Sequence, residues 1–411
     1  MSERARIPSG IWILSSCNAL LTTGYSLSVP FFSIYLSVER NVPMSVTGAF
    51  LAFSIFISSA GMGVGGEVSD ALGRRRVMLF SLAARGIIFA LMAAGIYFNI
   101  HYVWLVLLHV CGSFMMAGYA PAAQAWVADN FDPRRRLEFF GLLRIGTNLG
   151  WALGPMLGGF ASPKAYPLMF AVTSAVYGIG TAIMFFTVPE SLPGTAAKRA
   201  HFGEMLLELR DARLARLCVV GFIICTAMSQ LVVGLSLFCA RYLGYPQHSI
   251  GLFFSINGFA VVFLQQAAAK LAARTRISSA MAVGSLLYMA GYATVGFSSV
   301  FLWTAAGVFI LSLGELFIAP GLQTLGSNIA PAEKRGRYLG IQGLAQQLGA
   351  AFGIFLGGAN MEQLAPIWRQ GPWMLIALIA FCAAIGFYGM RKHLTPEEDG
   401  LRNPAANELV L

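Results

Sequence analysis

The sequence predicts an all-α integral membrane protein of twelve transmembrane helices, built as two six-helix parallel repeats. Three observations predict it: apolar runs of membrane-crossing length, a one-sided placement of Lys and Arg, and residues that recur at a constant offset of 199 positions.

Of the 411 residues, 57% are hydrophobic and 11% charged. A soluble domain carries about 25% charged residues, so this composition cannot build a water-facing surface. The 45 Gly agree, because Gly is more frequent in membrane helices than in soluble ones. Apolar runs of span length fall near 11–36, 44–65, 77–98, 103–127, 138–160, 166–188, 215–240, 250–269, 278–297, 301–326, 338–358 and 372–390. The first is followed by further spans and not by a small-residue cleavage site, so no cleavable signal peptide is expected. Cys17, Cys111, Cys218, Cys225, Cys239 and Cys382 all fall in apolar segments without metal or redox spacing. They read as buried free thiols, and no metal site or cofactor is expected.

Alternating the connections between two sides sorts the charges. Of 28 Lys and Arg, 22 fall on one side, four (Arg40, Lys164, Arg241, Arg369) on the other, and Arg85 and Arg144 within spans. Positive residues mark the cytoplasmic side. The reading is a multi-pass protein of the cell inner membrane with both termini cytoplasmic. The net charge of +10 is therefore a topology signal, and no nucleic-acid partner is expected.

Residues 189–214 are polar and mixed in charge, and read as a cytoplasmic linker that begins Pro189, Glu190, Ser191. It separates an N-terminal half, 1–188, from a C-terminal half, 215–390, with a cytoplasmic tail at 391–411. The fifth span carries Gly141, Gly150, Gly154, Gly158 and Gly159, and the eleventh carries Gly340, Gly349, Gly353, Gly357 and Gly358. The same offset matches Pro121 to Pro320, Gln124 to Gln323 and Arg136 to Arg335, and sets Asp129 against Asn328. Eight identities on one diagonal indicate a duplicated six-helix unit. Two such halves can rock about a site between them, exposing it to each side in turn.

Between the second and third spans stand Gly66, Asp70, Gly73 and Arg74 to Arg76. Asp70 ends a helix, Gly73 permits a tight turn, and the arginines enter the headgroup region. Asp70 is placed to accept from Arg75 or to cap the next helix. Asp129, at the end of the fourth span, is a further partner for the arginines. The alternative is a positive-inside anchor with no gating role. This spacing resembles the signature loop of the major facilitator superfamily, and the resemblance implies a cytoplasmic gate and alternating-access transport of a small molecule through a central cavity. In the second half, Gln265 to Arg276 lacks both the Asp and the Gly, so its gate contribution is expected to be weaker.

The fifth span, Gly141, Gly150, Gly154-Pro155 and Gly158-Gly159, looks like the antiporter motif of the superfamily's 12-helix drug and metabolite:proton exporters. Small residues let helices approach closely, and Gly-Pro gives a bend. Ordinary tight packing explains the same residues without implying a direction of transport.

Glu315 is the one acid near the middle of a span, and an intramembrane carboxylate is by default a functional-site hypothesis. Ser312 and Gln323 share its side of the helix. Proton coupling or binding of a substrate amine is the reading, and a structural ion pair the alternative. Arg144, with Asn148 one turn on, is its natural partner. Arg85, read as snorkelling along the third helix, and His109 are further candidates. Asn18, Tyr25, Gln124, Gln230, Asn257 and Gln323 are cavity candidates, each divided between ligand contact and interhelical hydrogen bond. Many drug antiporters of the superfamily place an acid in the first span and an Arg in the fourth. Here the first span has Asn18, Thr22 and Tyr25, and the fourth has His109 and Gln124, so Glu315 with Arg144 would replace the usual relay.

The expectation is a monomeric secondary transporter in the lipid bilayer that exports a small amphipathic molecule in exchange for protons. The alternative is a proton-coupled importer, because Gly314-Glu315 followed by Pro320 also resembles proton-coupled peptide carriers. A different class is a non-transporting membrane receptor or a membrane enzyme; an enzyme would show clustered catalytic residues and a primary pump a P-loop, and neither pattern is present in the sequence.

Overall fold

The structure, a computed structural model, describes residues 9–130, 136–160, 165–191, 207–331 and 334–401. Arg4, Arg6, Arg134, Arg135, Lys164, Lys198, Arg199, Arg402 and most of the predicted linker lie outside the described residues. Among those described, fourteen α-helices and no strand occur. They are α1 Ser9–Ile34, α2 Met44–Leu72, α3 Arg74–Tyr97, α4 Tyr102–Met116, α5 Tyr119–Asn130, α6 Arg136–Gly159 and α7 Tyr166–Thr187. Then follow α8 Ala212–Met228, α9 Gly234–Arg241, α10 Gln247–Ala272, α11 Ile277–Gly296, α12 Phe301–Ile329, α13 Arg335–Gln363 and α14 Gly371–Met390. The pair α4 and α5 forms the fourth predicted span, and α8 with α9 the seventh. Among the described residues ten segments are long and apolar enough to cross a membrane, and α6 and α11 complete the twelve predicted spans.

Hydrocarbon offers no partner to a backbone or side-chain polar group, so each must be satisfied inside the protein. The hydroxyls accordingly bond back along their own helices: Thr23 donates to Ala19 O at 2.7 Å, Ser285 to Met281 O at 2.9 Å and Ser312 to Val308 O at 2.7 Å. Proline inside a helix strips the amide that would serve the carbonyl four residues earlier. Pro320 does this in α12, and the Gln265 side chain of α10 supplies the missing donor, Nε2 to Leu316 O at 3.1 Å.

The chain forms two compact units. The first holds residues 1–43, 53–198 and 236–258, and the second holds 44–52, 199–235 and 259–411. Their packing schemes match. In the first, α1 lies against α6 and α7, and α3 against α7 and α4. In the second, α8 lies against α13 and α14, and α11 against α14 and α12. The duplication visible at an offset of 199 is thus also a duplication of helix contacts. Aromatic rings fill each interior: Phe32 meets Phe170 edge-on at 5.7 Å in one, and Tyr292 stacks on Trp373 at 5.6 Å in the other.

The glycine stripes form the α1–α6 and α8–α13 seams. A β-carbon on Gly154 would lie 2.5 Å from Thr23 O and 2.9 Å from Leu27 N, both fixed backbone atoms of α1. Its repeat mate Gly353 faces Thr226 O of α8 in the same way. Hydroxyls stitch the seams: Ser26 Oγ donates to Gly150 O at 2.9 Å, and Thr226 Oγ1 to Gly349 O at 3.1 Å. Two cysteines depart from expectation. Cys111 and Cys382 are exposed on their helices, because the apolar runs that contain them have an outer face as well as an inner one.

Gly154→Ala is expected to cost about 1–3 kcal/mol through overpacking. Gly66→Ala should leave stability unchanged or slightly higher, since a β-carbon there meets nothing within 4 Å. Melting temperatures of the two purified variants in detergent check the contrast.

Candidate functional site

The signature loop builds a charge cluster at the basic end of the first unit. Gly73 ends α2 with φ of +108°, a backbone conformation that side chains resist. The turn starts α3 at once, with Arg74 folded back over the end of α2. Its Nη1 donates to Asp70 Oδ1 and to Ser69 Oγ at 3.2 Å, while its Nε donates to Asp129 Oδ2 at 3.1 Å. Arg74 is buried, so a two-carboxylate partnership is what makes its burial tolerable.

Sequence spacing pointed to Arg75 as the partner of Asp70, and the structure gives Arg74 instead. Arg75 turns outward, donating Nη2 to Phe185 O at 2.5 Å with its guanidinium 5.0 Å from the Phe185 ring. Nor does Asp70 cap α3. Glu190 does, accepting from Arg75 N at 3.3 Å, and a β-carbon on Gly73 would collide with that carboxylate. Glu190 was legible only as the start of the linker.

Within the span interior of the first unit, Arg85 does not snorkel. It is 4% exposed, donating Nη1 to Gly112 O at 2.6 Å and lying over the Tyr25 ring at 5.0 Å and the Phe89 ring at 5.2 Å. An arginine held by a carbonyl and two ring faces needs no long reach to the interface. Tyr25 also meets Trp151 edge-on at 6.1 Å. His109 is buried with its ring 5.4 Å from Phe32. Asn18 accepts from the Tyr119 hydroxyl at 2.8 Å. Arg144 and Asn148 are half-buried on α6, off the glycine face that packs on α1. Gly141 lies in α6 near its start, and Gly159 meets Gly251 of α10 inside the same unit. Gly158 packs on Leu27 and Phe31, and the carbonyl of Pro155 faces Gly251. Gln124 is exposed, and Asn257 half-buried.

In the second unit, Glu315 is half-buried midway along α12, within electrostatic reach of the fully buried Tyr288 and Tyr292 of α11. The predicted polar stripe divides: Ser312 is fully buried and Gln323 exposed. Gln230 is buried in the α8–α13 seam, donating to Gly353 O at 2.5 Å and Thr226 O at 3.2 Å. Its two bonds are interhelical and intrahelical packing bonds. Arg144 and Glu315 belong to different units.

The basic end of the second unit carries a cluster that no motif announced. Asp211 caps α8 through Arg213 N at 2.8 Å, and accepts from Arg213 Nη2 at 2.9 Å and from the Tyr338 hydroxyl at 3.1 Å. Glu208 pairs with Lys334 at 3.0 Å and with Arg337 at 3.5 Å. Partial burial pushes the Asp211 carboxyl up, but the bonds from Arg213 and Tyr338 outweigh it and hold it below its ordinary value. No cluster of His, Cys, Asp and Glu able to hold a metal occurs among the described residues.

The Major Facilitator Superfamily profile matches residues 14–354 and again 217–407. The chain belongs to the Major Facilitator Superfamily. The second match begins where the second repeat begins. Among curated relatives, the transporter is 25% identical over 383 residues to the uncharacterized MFS-type transporter YdeE of Escherichia coli, covering 90% of this chain and 92% of that one. It is 23% identical over 387 residues to the multidrug resistance protein MdtH of an Enterobacter species, covering 92% and 93%. A peptide transporter POT solved with alafosfalin has the same fold, with a TM-score of 0.79 at 14% identity over 98% of this chain and 97% of that one. These relatives and neighbours are transporters and not enzymes, and the transporter is a multi-pass membrane protein.

Arg74→Ala should destabilise by about 2 kcal/mol, because it removes the guanidinium that Asp70 and Asp129 share. Arg75→Ala should cost clearly less, and thermal melting that ranked the two the other way would reverse the pairing. For Asp211, a lowered carboxyl stabilises the fold above its ordinary pKa of about 3.9 and loses that contribution as the pH falls through the folded value. The stability gap between wild type and Asp211→Asn should therefore be full at pH 7 and close in acid, which melting curves across pH will show.

Proposed function

We propose that this transporter exports small amphipathic molecules in exchange for protons, by alternating access, as a monomer in the inner membrane with both termini cytoplasmic. The observation that carries the coupling is Glu315, a carboxylate half-buried midway along a membrane helix. An ionisable residue inside a membrane span by default marks a substrate, ion or proton pathway. Export is supported by the resemblance to MdtH multidrug resistance proteins and by the Gly150, Gly154, Pro155, Gly158 pattern of α6. The Arg74 cluster with Asp70 and Asp129 is the cytoplasmic gate in this reading. Arg144 and Asn148 supply cationic and amide groups for substrate or for Glu315 in one state of the cycle.

Proton-coupled import is the second reading, favoured by the fold likeness to peptide transporters. Proteoliposomes with an imposed pH gradient separate the two. Ethidium moving against the proton flux, with the dipeptide Ala-Ala unmoved, supports export; Ala-Ala moving with the protons overturns it. Glu315→Gln is expected to lower pH-driven flux at least roughly tenfold, about 1.4 kcal/mol on the barrier. Exchange without a gradient should survive the substitution. Unchanged pH-driven flux in Glu315→Gln would remove the coupling role.

A further inference from the structure

The loop Gln265 to Arg276 of the second half lacks the acid and the glycine that organise the gate of the first. An acid nevertheless reaches the start of α11, from the segment after the twelfth span.

In the first unit, the segment that follows the sixth span returns across two helix ends. Glu190 accepts from Arg75 N at the start of α3, and Ser191 Oγ donates to Asp129 Oδ2 at the end of α5, at 3.4 Å. Trp126 Nε1 donates to Pro189 O at 2.9 Å and fixes the same segment.

In the second unit, the segment after the twelfth span makes the corresponding crossings. Asp399 accepts from Ser278 N at 2.8 Å and from Ser278 Oγ at 2.7 Å, at the start of α11. Its carbonyl accepts from Ile277 N at 2.9 Å, and Arg276 Nη1 lies 3.7 Å from Oδ2. Next to it, Glu398 O accepts from Asn328 Nδ2 at 2.9 Å, at the end of α12. Asn328 is the residue that the offset of 199 sets against Asp129. Glu398 Oε1 also pairs with Arg213 of α8 at 2.5 Å.

Asp399 has 0% of its surface exposed. A buried carboxylate at a helix N-terminus, with a backbone amide, a hydroxyl and a guanidinium around it, is held by charge-assisted hydrogen bonds. The turn that brings it there needs Gly400, whose φ is +82° and whose β-carbon would lie 2.8 Å from Ile277.

We propose that Arg391–Leu401 is a clasp, not a free tail, and that Asp399 is a positioning residue for transport. It supplies the start of α11 with a carboxylate, as Glu190 supplies the start of α3. Through Glu398 and Asp399 the clasp ties the basic ends of α8, α11 and α12 into one block. Rocking transport moves each half as a block, so a loosened clasp slows the conformational step and leaves the substrate site untouched.

Hydrogen exchange on the full chain in nanodiscs tests the clasp without any substrate, so it stands apart from the exporter reading. Asp399→Ala should speed exchange at Ile277 and Ser278 roughly tenfold, together with the first turn of α8 and the last turn of α12. Faster exchange confined to residues 276–280, or no change, overturns the clasp. Asp399→Asn, which keeps an acceptor for Ser278, should show a smaller rise. In proteoliposomes carrying whichever of ethidium or Ala-Ala the wild type moves, Asp399→Ala should lower Vmax about fivefold at unchanged KM. Asp399→Asn should restore part of it. A wild-type Vmax in Asp399→Ala, or a change confined to KM, overturns the positioning role.

Discussion

Between two helices in lipid there is no hydrophobic driving force, because the surrounding chains are as apolar as the side chains they would replace. Close backbone approach therefore carries the association, and the α1–α6 and α8–α13 seams are where it happens. Gly150, Gly154 and Gly158 bring α6 within hydrogen-bonding reach of α1, Gly349 and Gly353 do the same for α13 on α8, and Gly357 meets Gln230 just past the end of α8. The last glycine of each stripe continues the theme across the repeat: Gly159 against Gly251 in one unit, Gly358 against Gly48 in the other. Once these faces are committed, Arg144 and Asn148 must occupy the remaining side of α6. The placement of the polar residues is thus a consequence of the packing of the small ones.

Charge is handled by the same economy of space. Arg74 is buried because Asp70 and Asp129 converge on it, and Asp399 because α11 offers an amide, a hydroxyl and Arg276. Arg85 takes a different solution, with a carbonyl and two aromatic faces in place of a carboxylate. Glu315 is half-buried midway along α12, in its unit's interior. The helix ends at the basic end of each unit are tied by such pairs, while Glu315 keeps part of its surface open.

A sequence asymmetry hides a structural likeness. The two loops that should correspond, Gly66 to Arg76 and Gln265 to Arg276, differ in nearly every polar residue. Yet each unit brings a carboxylate from behind its sixth helix to the start of its third, Glu190 in one and Asp399 in the other. Duplicated halves can diverge in which segment donates a group while keeping the place where the group is needed.

The sequence by itself determined the twelve spans, the duplication and the family, since hydropathy, one-sided charge and glycine spacing are local or periodic signals that survive without coordinates. It also marked Asp70, Asp129 and Glu315 by type and depth. Only the tertiary structure decided that Arg74 and not Arg75 meets Asp70, because adjacent residues on a helix start point about 100° apart and the turn at Gly73 chooses between them. It alone turned Arg85 inward, put Gln230 into a seam, and left Cys111 and Cys382 on outer faces. Most of all, it folded residues 391–401 back onto α11. A contact between residues 278 and 399 has no periodicity to betray it; it exists because a buried helix start needs an acceptor, and the chain had one within reach.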